Sequence, residues 1–455
     1  VDAHAAAGAR RELTDRGLLL ALGVAVSAGC YQPRPLDARA VMDEVARAPA
    51  GQPPGVTRPA LTPPSGLSEE AAVALALRGN PDLRIARHQR GIAEGEVVTA
   101  GELANPTVGF DTIHLEDWGK EVGWAITLGW TPPQPGVYSA GKAAARANAE
   151  AVDADIAERE WQVASAVRGA HAQLIAIAEK QELVVKELDA RRRIVELVRK
   201  RVAGGASTKL DLSVAELAVS EVERARDDLA ADEIAAATEL GRLLGTTPVH
   251  DVAGRLAPDT RPPPPIDALV EATLASRPAL AAEERRYHQR EEIVRLEHAR
   301  AWPWFRFTAI PRYRADGSDV HTRDFAAGIE LTVPLLNLNG GPIQIAEASR
   351  DQEREVFAKL AGGIRRDLAG ARDDIALRAE TLRRYETEVL PGLDAQDKLL
   401  STAVAGGQID VVALTAAEGL ILRQRATYVD MRLACYRAWL VLDRTAGRRY
   451  SGGGV

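Results

Sequence analysis

Two cysteines and eight histidines are the soft, reactive side chains of this chain, and their spacing restricts what they can do. Cys30 and Cys435 are far apart in sequence, so neither a disulfide framework nor a CxxC metal site follows from them. Cys435 sits in a helical pattern and reads as a buried structural thiol. No two histidines are four residues apart, the spacing that puts two imidazoles on one helix face around a metal. His114 and His321 lie near chain turns, where solvation is the default. A Walker loop, a GxSxG elbow, an HExxH pair and a GxGxxG between strand and helix are all missing. No catalytic residue, no metal site and no cofactor are expected.

Cys30 has a more definite setting. Arg10, Arg11 and Arg16 precede the apolar stretch Leu18 to Val26, which is followed by Ser27, Ala28, Gly29 and Cys30. A positive flank, a short apolar run and small residues make residues 1–30 a secretory signal, since a membrane helix needs about 20 apolar residues. The Ala-Gly-Cys ending resembles a bacterial lipobox, in which the cysteine thiol is lipidated and becomes the mature N-terminus. Ser27 departs from that pattern, where Leu, Val or Ile is usual. An ordinary signal cleaved nearby is the other reading of the same residues.

Composition points to long helices. Aromatics make up only 4% of the chain, too little bulk for a large globular core, whereas alanine and charged residues suit narrow helical seams. The net charge of −7 is spread out, with no basic run to track phosphates, so nucleic acid is not a partner. No later segment holds about 18 uninterrupted apolar residues, so entry into a membrane would have to use β-strands.

The chain repeats itself. A Pro-rich, irregular tether (31–66) and a second Pro-rich linker (251–265) frame two matching segments, 67–250 and 266–445, with a tail at 446–455. Asn80-Pro81-Asp82-Leu83 aligns with Arg277-Pro278-Ala279-Leu280, and Asn105-Pro106 with Trp302-Pro303, each proline pair 197 residues apart. Gly204-Gly205 aligns with Gly406-Gly407, and Ala215-Glu216 with Ala417-Glu418, all 202 apart.

Each repeat changes period in the same order. A helix opens it, with Ser68 and Asp267 as expected N-caps. Two segments of period two follow, at about 106–115 and 122–133, and again at about 303–314 and 325–336. Val122, Trp124, Ile126, Leu128 and Trp130 make one apolar face. Arg306, Thr308, Arg312 and Arg314 share one face, with Phe305, Phe307 and Tyr313 on the other. Strands of about 10 residues can cross a bilayer when tilted. Nine of the twelve Trp and Phe residues fall in or beside these strands. Trp124, Trp130, Trp302, Trp304, Phe305 and Phe307 are the expected aromatic girdle of an outer-membrane barrel.

Long helical tracts then run over about 141–202 and 343–404, long enough at 1.5 Å per residue to span roughly 90 Å. Leu188, Val195 and Val202 recur every seven residues, with Val184 and Val198 between them and Arg191 interrupting the seam. Each tract breaks at a double glycine, so each repeat ends as a long antiparallel α-hairpin. The expected fold is mainly α with a small β part: long helical hairpins plus four strands per chain. Four strands cannot close a barrel alone, and an open sheet edge is forbidden in lipid. The chain must oligomerise, and three copies would supply twelve strands.

This duplicated order of helix, hairpin, long helix, glycine turn and return helix resembles the TolC-like outer-membrane efflux proteins over about 67–445. Asn80-Pro81-Asp82-Leu83, Asn105-Pro106, both glycine turns, and Val333-Pro334-Leu335 before Gly340-Gly341 carry the resemblance. It implies a homotrimer with a 12-stranded barrel in outer-membrane lipid, continuous with a periplasmic α-barrel. Such a protein is the passive exit duct of a tripartite pump in a Gram-negative envelope. It docks to a periplasmic adaptor and an inner-membrane transporter, here of the RND type. The lipobox suits the lipid-anchored members. The family's tips contact the adaptor and form the gate. They map here onto Gly204, Gly205, Ala206, Ser207 and Thr208, with Asp211 beyond, and onto Gly406, Gly407, Gln408, Ile409 and Asp410. Ala413 and Ala416 stand where family members often carry acids. Asp410 reads first as the cap of the return helix, and second as a ring of three carboxylates that would favour cations. A soluble periplasmic coiled-coil adaptor is the alternative function, and membrane fractionation separates the two.

Overall fold

The computed structural model describes residues 36–47, 66–115, 121–315, 321–405 and 411–451. Cys30 and the second tip, 406–410, lie outside the described residues. The chain divides into two units, Val1–Ala48 and Pro49–Val455. In the first, helix α1 (Ala38–Arg47) interrupts the stretch that the sequence suggested was irregular throughout. Asp37 Oδ1 accepts from the amides of Arg39 and Ala40, and the segment it caps is free of proline and rich in helix formers. The prolines on either side hid that signal.

In the second unit the order is α2 (Glu69–Gly79), α3 (Pro81–Ala100), β1 (Thr107–Leu115), β2 (Glu121–Trp130), α4 (Val137–Ala203) and α5 (Lys209–Leu244). The second repeat gives α6 (Ile266–Ser276), α7 (Pro278–Arg300), β3 (Trp304–Ala315), β4 (His321–Thr332), α8 (Gly340–Arg384), α9 (Leu390–Ala405) and α10 (Val411–Ala446). The four strands form one antiparallel sheet in the order β1-β2-β3-β4. Strand β4 starts and stops about four residues earlier than the alternation at 325–336 suggested. Pro334 explains its end, because proline has no N–H to give to a ladder. No described helix is long and apolar enough to cross a membrane.

Local chemistry explains the breaks. Ser68 Oγ accepts from Ala71 N and caps α2 as expected. Asp267, however, lies inside the first turn of α6, whose N-cap is Pro265, and pairs with Arg365 at 3.5 Å. Pro265 is extended there (φ −57, ψ 146) and offers no side-chain cap, and Asp267 in the first turn is placed to offset the helix dipole. Helix α4 runs for 67 residues, about 100 Å. Its counterpart in the second repeat is interrupted by a π turn at Tyr385–Val389, just before Pro391. Proline lacks the N–H for an i→i−4 bond and its ring crowds the preceding turn, so the backbone widens there.

The repeats build equivalent cores at the base of each hairpin. In the first, Leu67, Ala72, Ala76, Val167, Leu174, Leu240 and Leu244 pack together. In the second, Leu269, Leu280, Ile364, Leu368, Ile375, Leu382, Trp439 and Leu442 do so. One brace is duplicated with different chemistry. Asn80, 1% exposed, caps α3 through Leu83 N and donates from Nδ2 to Leu243 O at 2.8 Å. In the second repeat Arg277 Nη1 donates to Thr445 O at 2.6 Å.

Candidate functional site

The sheet sorts its side chains by the pleat alternation of antiparallel strands. Register places Phe110 opposite Ile126, Trp130 opposite Phe307, and Phe307 opposite Ile329. Val108, Leu128, Phe305, Phe325 and Leu331 fall on the same face, and all five are exposed. The opposite face carries Thr107, Asp111, Thr127, Arg306, Thr308, Arg312, Arg314, Asp324 and Glu330. There Arg314 pairs with Asp324 at 3.2 Å, and Thr127 Oγ1 donates to Asp111 at 3.2 Å. Small residues leave room on this face. A Cβ on Gly129 would sit 2.7 Å from Thr107 Oγ1 and 3.5 Å from the Arg306 guanidinium. The result is a sheet with one mainly apolar face, one charged face, and two edges, β1 and β4, that have no partner strand among the described residues.

Aromatic residues cluster near the end of the sheet that joins the helices. Trp130 Nε1 donates to Ala104 O at 3.0 Å there, whereas the Trp124–Tyr313 stack, with centroids 5.8 Å apart, lies toward the hairpin-turn end. Trp302 precedes β3 and is exposed. Trp304 departs from the expected girdle. It pairs with Thr332 and alternates onto the face of Arg306, away from Phe305 and Phe307.

The other end of the molecule is the tip between α4 and α5. Gly205 has φ +72, a conformation that glycine adopts without strain. Gly205 N donates to Val202 O and Ala206 N to Arg201 O, the paired bonds of a Schellman stop. Thr208 and Asp211 then form a reciprocal capping box, each side chain accepting the other's backbone amide. Those bonds, with the Arg201 charge, hold the Asp211 carboxyl below the usual range. The cap therefore uses the carboxylate that the sequence offered to a gate. Ser207 is half-buried in the same turn.

Behind this tip, Ile194, Val195, Val198, Ala215 and Leu414 pack into one seam, which brings α10 against the α4–α5 hairpin. Leu188 is buried in α4, as the seven-residue repeat implied, and Val202 packs at the edge of the seam. Arg191, 6% exposed, lies in the same seam and pairs with Glu187 at 3.1 Å. Its guanidinium fills the space that a side chain at Gly419 would take, 2.6 Å from an ideal Cβ there.

Comparison with known proteins bears on what such a molecule is. The family model for outer membrane efflux protein matches residues 72–246, the first repeat. The cobalt-zinc-cadmium resistance protein CzcC of Cupriavidus metallidurans is 22% identical over 388 residues, covering 84% of this chain and 90% of that protein. The chain is similar to outer membrane efflux proteins, and its first repeat matches their family model. Solved structures with the same fold include VceC of Vibrio cholerae, at TM-score 0.68 and 18% identity, covering 84% of this chain and 96% of that one. The open state of the MtrE outer membrane channel of Neisseria gonorrhoeae gives TM-score 0.68 at 16% identity, covering 84% and 89%.

That similarity supports the role that the sequence resemblance implied, an outer-membrane exit duct for efflux. The family is one of channel proteins. Several residues of this duct protein escaped sequence reasoning. Glu69 joins Arg168 at 3.3 Å, Arg449 at 3.1 Å and the Tyr436 hydroxyl at 2.6 Å, tying α2 to α4, α10 and the C-terminal turn. Arg286 bridges Asp155 and Glu283 across α4 and α7. Neither cluster has a local motif. The π turn had a visible signal in Pro391, inside a tract read as one unbroken helix.

Proposed function

We propose that three copies of this chain close a twelve-stranded barrel and work as the passive outer duct of a tripartite efflux system. The observation that carries the reading is the four-stranded sheet with two free edges and one apolar face. Such a sheet is stable in hydrocarbon only when every edge strand is paired. Pairing β4 of one copy with β1 of the next removes all edges by a closed three-fold ring. The α-hairpins, about 100 Å along α4, extend into the periplasm and present their tips to an adaptor, itself joined to an inner-membrane transporter of the RND type. Cys30 supplies a lipid anchor to the same membrane.

The chain catalyses nothing on this reading, and the transporter supplies the energy. The likeness to a cobalt-zinc-cadmium resistance protein favours divalent metal ions as cargo, ahead of drug-like molecules. A duct needs no metal ligands of its own for such cargo. Asp410 of the second tip would face a narrow constriction in triplicate and favour cations there.

Purified protein in a planar bilayer tests the duct directly. Stable unit conductance with cation preference is expected, and a bilayer that stays silent would remove the proposal. Asp410→Asn should reduce cation preference. Unchanged selectivity would return Asp410 to the role of a helix cap alone.

A further inference from the structure

Both repeats pass from the sheet to a long helix through a short loop, six residues in the first and seven in the second, whose last residues are 203 apart. In the first, Thr131-Pro132-Pro133-Gln134-Pro135 leads to Gly136 at φ +87. In the second, Pro334-Leu335-Leu336-Asn337-Leu338 leads to Asn339 at φ +58, the left-handed residue before α8. Both loops are braced to the end of α7. Gln134 Nε2 donates to Arg300 O and Trp302 O, and Asn339 Nδ2 donates to Glu297 O at 2.7 Å. The backbone role is shared, but the surfaces are not. Leu335 is 80% exposed and Leu336 fully exposed, with Leu338 and Val333 exposed beside them.

A run of bare leucines has no reason to persist where prolines and a glutamine do the same structural work, unless something apolar covers it. We propose that the Leu335–Leu338 loop is an interfacial anchor, its leucines dipping into the acyl chains of the periplasmic leaflet. Three observations favour lipid as the occupant. The loop follows within a few residues of the apolar face of β4, where Phe325, Ile329 and Leu331 share one side, and Val333 and Leu335 extend the apolar run beyond the strand end. Trp304 and Arg300 line one groove with Leu335 and Leu336, residue types that settle at headgroup level. Asn337 and Asn339 alternate with the leucines, giving the polar-and-apolar mixture of a segment that lies in an interface rather than crossing it. Because only the second repeat carries these leucines, a trimer would have three anchor points, one per subunit.

The inference rests on the barrel reading, and one experiment separates the two. Benzoylphenylalanine is placed at 336 (Leu336→benzoylphenylalanine) in the full chain, and native outer membranes are irradiated. Ile329 on the sheet's apolar face and Gln134 in the first loop are replaced in the same way as controls. A phospholipid adduct is expected at 336 and 329, and none at 134. Cross-linking of position 336 to a second copy would make the loop a subunit interface and overturn the anchor. No adduct at 336 beside a lipid adduct at 329 would place the loop in water and overturn it equally. No lipid adduct at 329 would sink the barrel reading and the anchor together. If the 336 variant fails to assemble, position 335 gives the same readout.

Discussion

Asn80 uses both ends of its amide inside the protein, one to start α3 and one to hold the end of α5. Asn80→Ala leaves the Leu243 carbonyl without that donor and α3 without its cap. A loss of about 2–4 kcal/mol is expected, read as a lower thermal midpoint. Glu283 poses a different residue-scale problem. Burial, then its hydrogen bond to Glu353, raises its carboxyl above the ordinary value of 4.5, against the pull of the Arg286 charge, and Asp155 adds to the rise. Arg290 faces Glu353 at 3.7 Å from the same helix. Because the folded state prefers the protonated carboxyl, its contribution to stability is full below about pH 4.5 and is lost as pH rises through the raised value. Thermal midpoints across acid to neutral pH should therefore fall less steeply for Glu283→Gln than for the parent. Parallel curves would disprove the assignment.

Elements are matched by fit as well as by pattern. The coiled-coil spacing of α4 gave Leu188, Val195 and Val198 as seam positions, and each is buried. What the spacing could not say was how Arg191 is accommodated, because the answer lies on α10, where Gly419 leaves space for it. The aligned position in the first repeat is Leu217. Arg191 therefore acts as a key that distinguishes the second return helix from the first. Gly419→Leu should crowd the guanidinium and cost about 1–3 kcal/mol. Adding Arg191→Ala to Gly419→Leu should recover much of that loss, and additive losses in the double variant would show that the two residues do not share a site.

For the whole molecule, the division of the sheet into two faces makes opposite demands on substitutions. On the proposed barrel, Phe110→Arg puts a charge on the face turned to lipid, should cost about 2–4 kcal/mol near the bilayer midplane, and should deplete heat-stable trimer from the outer membrane. Arg312→Ala, on the charged face, should leave assembly intact and shift ion selectivity in single-channel records. The reverse pattern would mean the sheet faces the other way.

The duplication, the four strands with their two faces, the long helices and the first glycine turn were legible in sequence because each rests on local periodicity or on residues adjacent in the chain. Period two sets a strand's faces whatever its neighbours do, and a left-handed glycine stops a helix by its own backbone freedom. The family resemblance followed from that order. Other features depended on distant partners, and only the tertiary structure decided them. Asn80 and Arg277 perform one brace with unlike side chains because each meets a carbonyl more than 160 residues away. Asp211 is bound up in a cap and Arg191 has a place in the seam because of what faces them in space. Trp304 leaves the girdle because the strand register sends it to the other face. Periodicity assigns a side chain to a face, but packing decides what that face meets.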